Sequence, residues 1–335
     1  MITLEQAQTG STTAIDRTVI EEFRKNSLLL DMMEFDDTIA PSAGGTLTYK
    51  YLREEIPAEA QFRELNTEYT PQEATRREYS ADVKIFGGSY EIDRVLESTS
   101  SAIGSEVAYQ TKKKVKATVC LFHKALINGD SDIDHACFDG LDKALRGTVT
   151  EKNCGSVIDL STADRITENY MTFMELMDET ISELCERPSC IMANTSMINK
   201  LKQVARRAGY LTRTEDAFGR SADGYDGIPF MDMKYYPHKE TSGGYTERPI
   251  IPIGARKFGT TDSETTVIGL TDIYFPVLGR DALHGVTVHG DKLIRQYPPD
   301  FKLPGAVKKG EVEMLAAIAL KSSRGAGVLR NIKIK

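Results

Sequence analysis

Tryptophan is absent, and cysteine is sparse: Cys120, Cys137, Cys154, Cys185 and Cys190 form no C-x-x-C pair and show no regular spacing in 335 residues. A chain of this length does not depend on disulfide staples, so the five read as reduced thiols. No stretch reaches the apolar length of a membrane span, and "MITLEQAQTG" has no basic region followed by an apolar run. These two absences exclude a membrane helix and a secretory signal at that end, and lead us to expect synthesis in a cytosol. No G-x-S-x-G, H-E-x-x-H, Walker loop or G-x-G-x-x-G occurs, so the sequence nominates no catalytic residue and no cofactor-binding residue. Internal repeats and low-complexity tracts are also missing, which argues against solenoids and propellers.

Excess positive charge is missing too. A net charge of −7 and a pI near 5.5 argue against a protein whose main task is gripping nucleic acid, because phosphate binding needs a basic footprint. With 40% hydrophobic and 27% charged residues, the chain has the composition of a folded soluble protein with room for two or three cores.

Helices and strands alternate along the chain without βαβ regularity, which gives an α+β class. In "STTAIDRTVIEEFRKNSLLLDMMEFDD" the residues Ile15, Val19, Ile20, Phe23 and Leu28 to Leu30 predict an amphipathic helix near the N-terminus. "GGTLTYKYL" alternates Leu47, Tyr49 and Tyr51 against polar neighbours, as a strand with one apolar face does. A charged excursion follows, and then a second extended run, "ADVKIFGGSYEI". Such a long hairpin cannot build a core of its own and must lean on something else, either the rest of the chain or another copy.

A long helix is predicted from about Ser101 to Leu126, with a stripe of Ile103, Val107, Val115, Val119, Phe122 and Leu126. Further on, "SVIDLS" and "PSCIMAN" read as strands, and "NYMTFMELMDETISELCER" as a helix with Met171, Met174, Met177, Ile181 and Leu184 on its apolar side. "TSMINKLKQVARRAGY" reads as a helix capped by Thr195 and ended by Gly209. Residues Gly219 to Gly244 are rich in Gly, Asp, Tyr and Ser and read as loop, and strands follow at "PIIPIGA", "TTVIGLTDIYFPVLG" and "HGVTVHG".

The most chemical stretch is "CLFHKALINGDSDIDHAC". Cys120, His123, His135 and Cys137 are ligand types that suit zinc, yet H-x-C leaves little room for two ligands on one tetrahedral ion. Cys120 also borders the apolar stripe, where a free cysteine acts as a small hydrophobe. Asp130, Asp132 and Asp134 imitate the start of an EF-hand loop, but His135 and Leu141 stand where that loop needs glycine and glutamate. We therefore expect no metal site; Asn128-Gly129 would end the helix in a left-handed cap, with the aspartates solvating the turn. "TKKKVK", Lys112 to Lys116, reads as a solvated helix face, and the spacing of His284 and His289 puts them on opposite sides of a strand.

The order of these segments resembles the major capsid proteins of tailed bacteriophages, whose fold is shared with encapsulin shells. The resemblance rests on "IEEFRKNSLLLDMMEF" as an N-terminal arm, "GGTLTYKYLREE" opening an extended hairpin loop, "GGSYEIDRVLES" leading into a spine helix that ends at "ALINGD", then "FDGL", "PSCIMANTSMINKLKQV" and "AAIALKSSRGAGVLRNI". It implies an arm at 1–42, an extended hairpin loop at 43–84, a peripheral domain at 85–187 and 272–318, and an axial domain at 188–271 and 319–335. The function it implies is that of a structural protein, not an enzyme: a late virion protein that self-assembles through pentamers and hexamers into an icosahedral shell around phage double-stranded DNA. An acidic wall suits a container whose cargo must not stick to it.

The implied partners are other copies of the chain, a portal, and separate scaffolding or decoration proteins, with DNA enclosed without sequence-specific binding and no membrane. The implied location is the virion capsid, after synthesis and assembly in the host cytoplasm. Because the arm begins almost at Met1, scaffolding is expected to be a separate protein or absent. Some family members weld subunits by a lysine-to-asparagine bond; here only Lys50 and Lys84 lie between Gly44 and Gly87, and no asparagine lies between Asn199 and Asn331, so no such bond is expected. Two other readings remain: an encapsulin-like nanocompartment shell, and a soluble zinc enzyme built on the Cys and His quartet.

Overall fold

A computed structural model describes residues 28–37, 47–56, 58–94, 103–209, 211–215, 221–241, 243–258, 265–288 and 293–335. The N-terminal helix expected from Ile15 onward lies outside them except for α1 (Leu28–Met32), and His289 lies outside them as well.

Two sheets organise the chain. In the first, the long strand β17 (Val307–Leu320) is central. On one side it pairs antiparallel with β4 (Lys84–Asp93), from Val307 opposite Asp93 to Ala316 opposite Lys84. On the other it pairs with β15 (Leu283–Thr287) and then β16 (Ile294–Tyr297), while β1 (Phe35–Asp37) adds parallel to β15. The side chains alternate as a pleated strand requires: in β17 Val312, Met314 and Ala316 are buried, whereas Lys309 is exposed and Glu311 and Glu313 are half-exposed.

Helix α2 (Ile103–Asn128) covers the inner face of this sheet. Val115, Val119, Phe122 and Leu126 form the buried stripe that helical spacing predicts, and Phe122 packs among Phe35, Phe86 and Phe138 with ring centres 6.0–6.2 Å apart. Full burial of such a side chain stabilises the fold by roughly 1.5–3 kcal/mol. Lys112, Lys113 and Lys116 point to solvent, as expected of a solvated helix face, and Tyr90 on β4 meets Thr111 of the helix at 2.9 Å.

The second sheet runs through β5 (Glu151–Lys152) and β6 (Ile158–Asp159), both on β18 (Ala326–Lys333), then β14 (Thr265–Pro276), β7 (Ile191–Ala193), β10 (Ile228–Asp232), β9 (Ser221–Tyr225) and β8 (Leu211–Glu215), with β13 (Gly254–Phe258) on β14. Helices α4 (Ala163–Ser182) and α5 (Thr195–Ala208) pack on it through Ile166, Phe173, Met177, Met197, Leu201 and Val204. Strand β7 shows how the sheet separates two cores: Ile191 and Ala193 join the core under these helices, and Cys190 and Met192 join the one under α2.

Several expectations are corrected. Met171 faces solvent, because the buried side of α4 runs through Ile166, Phe173, Met177 and Thr180. The cap of α5 is Asn194, whose side chain accepts from the Met197 amide at 2.9 Å, while Thr195 Oγ1 donates to the Asp232 carboxylate. Gly209 does end that helix, at φ 75°. The region read as loop contains β9, β10 and β11 (Tyr235–Lys239), the last paired with β12 (Tyr245–Pro249). In "PIIPIGA" only the two ends are strand, Pro249 closing β12 and Gly254 opening β13; Ile250 and Ile251 are buried in the irregular connection between them. Residues 151–182 pair and pack with β18, as does the part of β14 from Asp272 onward, and the end of β17 lies in the first sheet through Leu283 opposite Leu320.

Candidate functional site

Three constructions stand out among the described residues. The first is the hairpin of β2 (Thr48–Ile56) and β3 (Thr75–Asp82), paired from Thr48 opposite Asp82 to Ile56 opposite Thr75. Its base is held to the body. Tyr49, Tyr51 and Ala81 pack against the first core, the Tyr49 hydroxyl donates to Asp36 Oδ2 at 3.0 Å, and Arg53 donates to the carbonyls of Leu320 and Lys321. Arg53 also lies 4.3 Å over the Tyr79 ring, and Tyr51 stacks on Tyr79. An open concavity of about 480 Å³ lies at this base, lined by Tyr49, Lys50, Tyr51, Leu52, Glu78 and Lys321.

Beyond the strands, residues 58–74 form no helix or strand and are exposed throughout. Phe62, Leu65 and Tyr69 present large apolar surfaces there, with the Arg63 guanidinium 5.5 Å over the Tyr69 ring. Four glutamates against one arginine make this tip acidic. A two-stranded ribbon with apolar side chains at its end and no core under them is built to meet another surface.

The second construction is the end of α2. The structure does not gather Cys120, His123, His135 and Cys137 into a ligand set, and among the described residues no three His, Cys, Asp or Glu side chains are placed to hold a metal ion. Burial, with Lys234 nearby, lowers His123 to about 4, and burial raises both the Cys120 and Cys137 thiols. His135 is exposed and offers its backbone carbonyl to Lys84 Nζ at 3.0 Å.

The aspartates after the helix have a cation of their own. Lys143 Nζ lies 2.9 Å from Asp130, 2.7 Å from Asp132 and 3.0 Å from Asp139. Those carboxylates raise the Lys143 ammonium well above its ordinary value, and Lys143 in turn lowers Asp130. Asp134 caps the turn locally, accepting from the Ala136 amide at 3.0 Å. Gly129 is not in the left-handed region; it is glycine because a Cβ there would strike the Phe138 and Ala125 carbonyl oxygens.

The third construction was not anticipated. Arg330 on β18 pairs with Asp142, with Glu151 at 2.7 Å and with buried Asp272 at 3.2 Å, and Arg256 grips Asp272 bidentately at 2.6 and 2.7 Å. Asn331, at φ 60°, receives a bond from Arg256 and donates to the carbonyls of Asn153 and Cys154. Burial alone would raise the Asp142 carboxyl, but Arg330 and Arg146 outweigh it and hold it below the usual range. This network ties β18, β14 and the segment 142–154 together. A polar Arg-Asn pair inside "GVLRNIK", and an aspartate inside "TTVIGLTDIYFP", are the sequence signals that could have pointed to it.

No family model matches the chain, and no curated protein matches it. Solved structures do. The chain is similar to the encapsulin of the holo-SrpI complex from Synechococcus elongatus, at TM-score 0.55 and 14% identity over 91% of this chain and 87% of that one. It is similar to the capsid protein of the native GTA particle, at TM-score 0.53 and 11% identity over 92% and 90%. It is similar to the capsid protein of the cyanophage P-SCSP1u, at TM-score 0.51 and 12% identity over 92% and 89%. The α+β architecture, with its hairpin loop and long helix, is thus the fold shared by phage capsids and encapsulin shells.

Proposed function

We propose that the chain is the major subunit of an icosahedral phage capsid, assembled from many copies around double-stranded DNA and without catalytic function. The observation that carries this reading is the β2–β3 hairpin: its acidic tip exposes Phe62, Leu65 and Tyr69 beyond any core of its own chain, on a fold shared with shell-forming proteins. The surface that such a tip needs is supplied by a neighbouring copy, in contacts that close into rings. Among the described residues no helix is long and apolar enough to cross a membrane. The peripheral domain then comprises residues 84–128 and 283–320, around the first sheet, and the axial domain residues 141–276 and 326–335, around the second. A portal and separate scaffolding or decoration proteins complete the assembly, in the virion and, before it, in the host cytoplasm.

Expression of the chain alone, sedimentation and negative-stain microscopy test the reading: uniform shells or capsomers are expected, and a compact monomer under assembly conditions overturns it. The second reading, a nanocompartment shell, is favoured by the similarity to the encapsulin chain. Nuclease-protected DNA inside particles recovered from the native source supports the capsid, and a co-purifying enzyme without DNA supports the nanocompartment.

A further inference from the structure

We propose that His284 is a proton-sensitive latch, holding the base of the β2–β3 hairpin on the first sheet while neutral and releasing it when charged. His284 lies within β15, fully buried, and among the described residues neither Nδ1 nor Nε2 has a hydrogen-bond partner. A neutral imidazole in that position already leaves a donor and an acceptor unmet, and an imidazolium would add an unpaired charge.

The hairpin closes over this residue: the Tyr49 ring meets the imidazole edge-on, with centres 5.6 Å apart and planes at 79°. Tyr49 is in turn fixed by its hydrogen bond to Asp36 on β1, and Arg53 fastens the same strand to the Leu320 and Lys321 carbonyls. Burial raises the Tyr49 hydroxyl's pKa, so it remains a protonated donor.

Among the described residues, the charged groups facing His284 set two carboxylates against two cations. Asp36 comes from β1, Lys321 from the turn after β17, and Arg280 and Asp281 from the turn before β15. Asp36 is engaged by Tyr49, and Arg280 is drawn to Glu34 at 3.1 Å. Burial first, and Lys321 second, lower His284 to about 4 from its ordinary 6.5.

The sign follows from that depression. Above pH 6.5 the imidazole is neutral whether the hairpin is docked or lifted, and docking is insensitive to pH. Between 6.5 and about 4 the lifted state binds a proton that the docked state does not, so each unit of acidification favours lifting by about tenfold. The latch is a property of the single chain and stands whether or not copies assemble.

Amide hydrogen exchange across 48–56 and 75–82 tests it on the purified, unassembled full chain at pH 7.5 and 5.0, corrected for intrinsic exchange rates. The hairpin opening constant is expected to rise about 30-fold in the native chain on this acidification and to stay within about twofold in His284→Phe. An equal rise in both overturns the proposal. Should His284→Phe not fold, NMR titration of the native imidazole decides the matter: a midpoint well below 6.5, shared by the hairpin amides, supports the latch, and a midpoint at 6.5 overturns it. In Tyr49→Ala the midpoint should move up toward the free value; an unchanged midpoint overturns the coupling to the hairpin.

Discussion

The backbone amide of Gly140 donates to the carbonyl oxygen of Gly129 at 2.9 Å, which joins the end of α2 to the start of α3 (Leu141–Ala144) with no room for a side chain at either glycine. A Cβ at Gly140 would meet the Ala125 carbonyl, the Gly129 amide and the Ile127 carbonyl. Since the obstruction is backbone, no rotamer change relieves it. Gly129→Val should therefore cost about 2–4 kcal/mol in urea-induced unfolding. His135→Ala, a few residues on, should change stability by about 0.5 kcal/mol or less, because only the backbone carbonyl of His135 is used, by Lys84. Equal tolerance of the two would mean that the glycine contact is not formed.

Arg330 is a buried arginine, and Arg330→Met should be strongly destabilising. It removes the arginine on Glu151, one of the two on Asp142, where Arg146 remains, and one of the two on Asp272, where Arg256 remains, at a cost of about 3–5 kcal/mol. The same network sets an acid limit. The Asp142 carboxyl is held below its ordinary value in the folded chain, so its contribution is fully present above the unfolded pKa and is lost as pH falls through the folded one. Chemical denaturation at a series of acidic pH values should show this loss in the native chain and a shallower one in Arg330→Met.

How much of this was legible in the sequence varied with the physics of each element. The α2 stripe was plain because Val115, Val119, Phe122 and Leu126 repeat at helical spacing over a long segment. The β9–β10 hairpin was hidden by its own turn: Asp226 and Gly227 stand at φ 48° and 76°, a conformation that favours Asp-Gly, and the same composition reads as loop when counted rather than placed. Ile250 and Ile251 look like strand because burial, not backbone pairing, selects their apolarity. Of the hairpin only the first strand was placed: "ADVKIFGGSYEI" is largely β4, paired with β17, and β3 lies in the charged stretch read as an excursion, where few apolar residues mark a strand. The Lys143 and Arg330 networks were not legible, because their partners meet only in the fold.

Covalent welding through the hairpin is not expected. Lys50 is paired with Glu78 at 2.7 Å, and Lys84 reaches back to the carbonyl of His135, so both lysines are tied to their own chain near the base of the hairpin. Mature particles boiled in detergent should run as a single band near 37.2 kDa on a denaturing gel. A ladder of covalent oligomers is the contrary result.

The tip of the hairpin should separate folding from assembly. Phe62, Leu65 and Tyr69 are exposed and lie outside both cores, so their replacement by serine removes almost nothing from the folded chain. The urea midpoint of the triple variant should match that of the native chain. If a neighbouring copy buries these side chains, each contributes roughly 1.5–3 kcal/mol at the contact. Loss of even 1.4 kcal/mol is about tenfold in an association constant, and a shell repeats the loss at every copy. The concentration at which particles first appear in light scattering should rise at least about tenfold for Phe62→Ser alone and further for the triple variant. Truncation of β2 would confuse the two effects, because Tyr49 and Arg53 also hold the hairpin to its own body. Substitutions confined to 62–69 avoid this. Unchanged assembly with unchanged stability would place the intersubunit contact elsewhere on the chain.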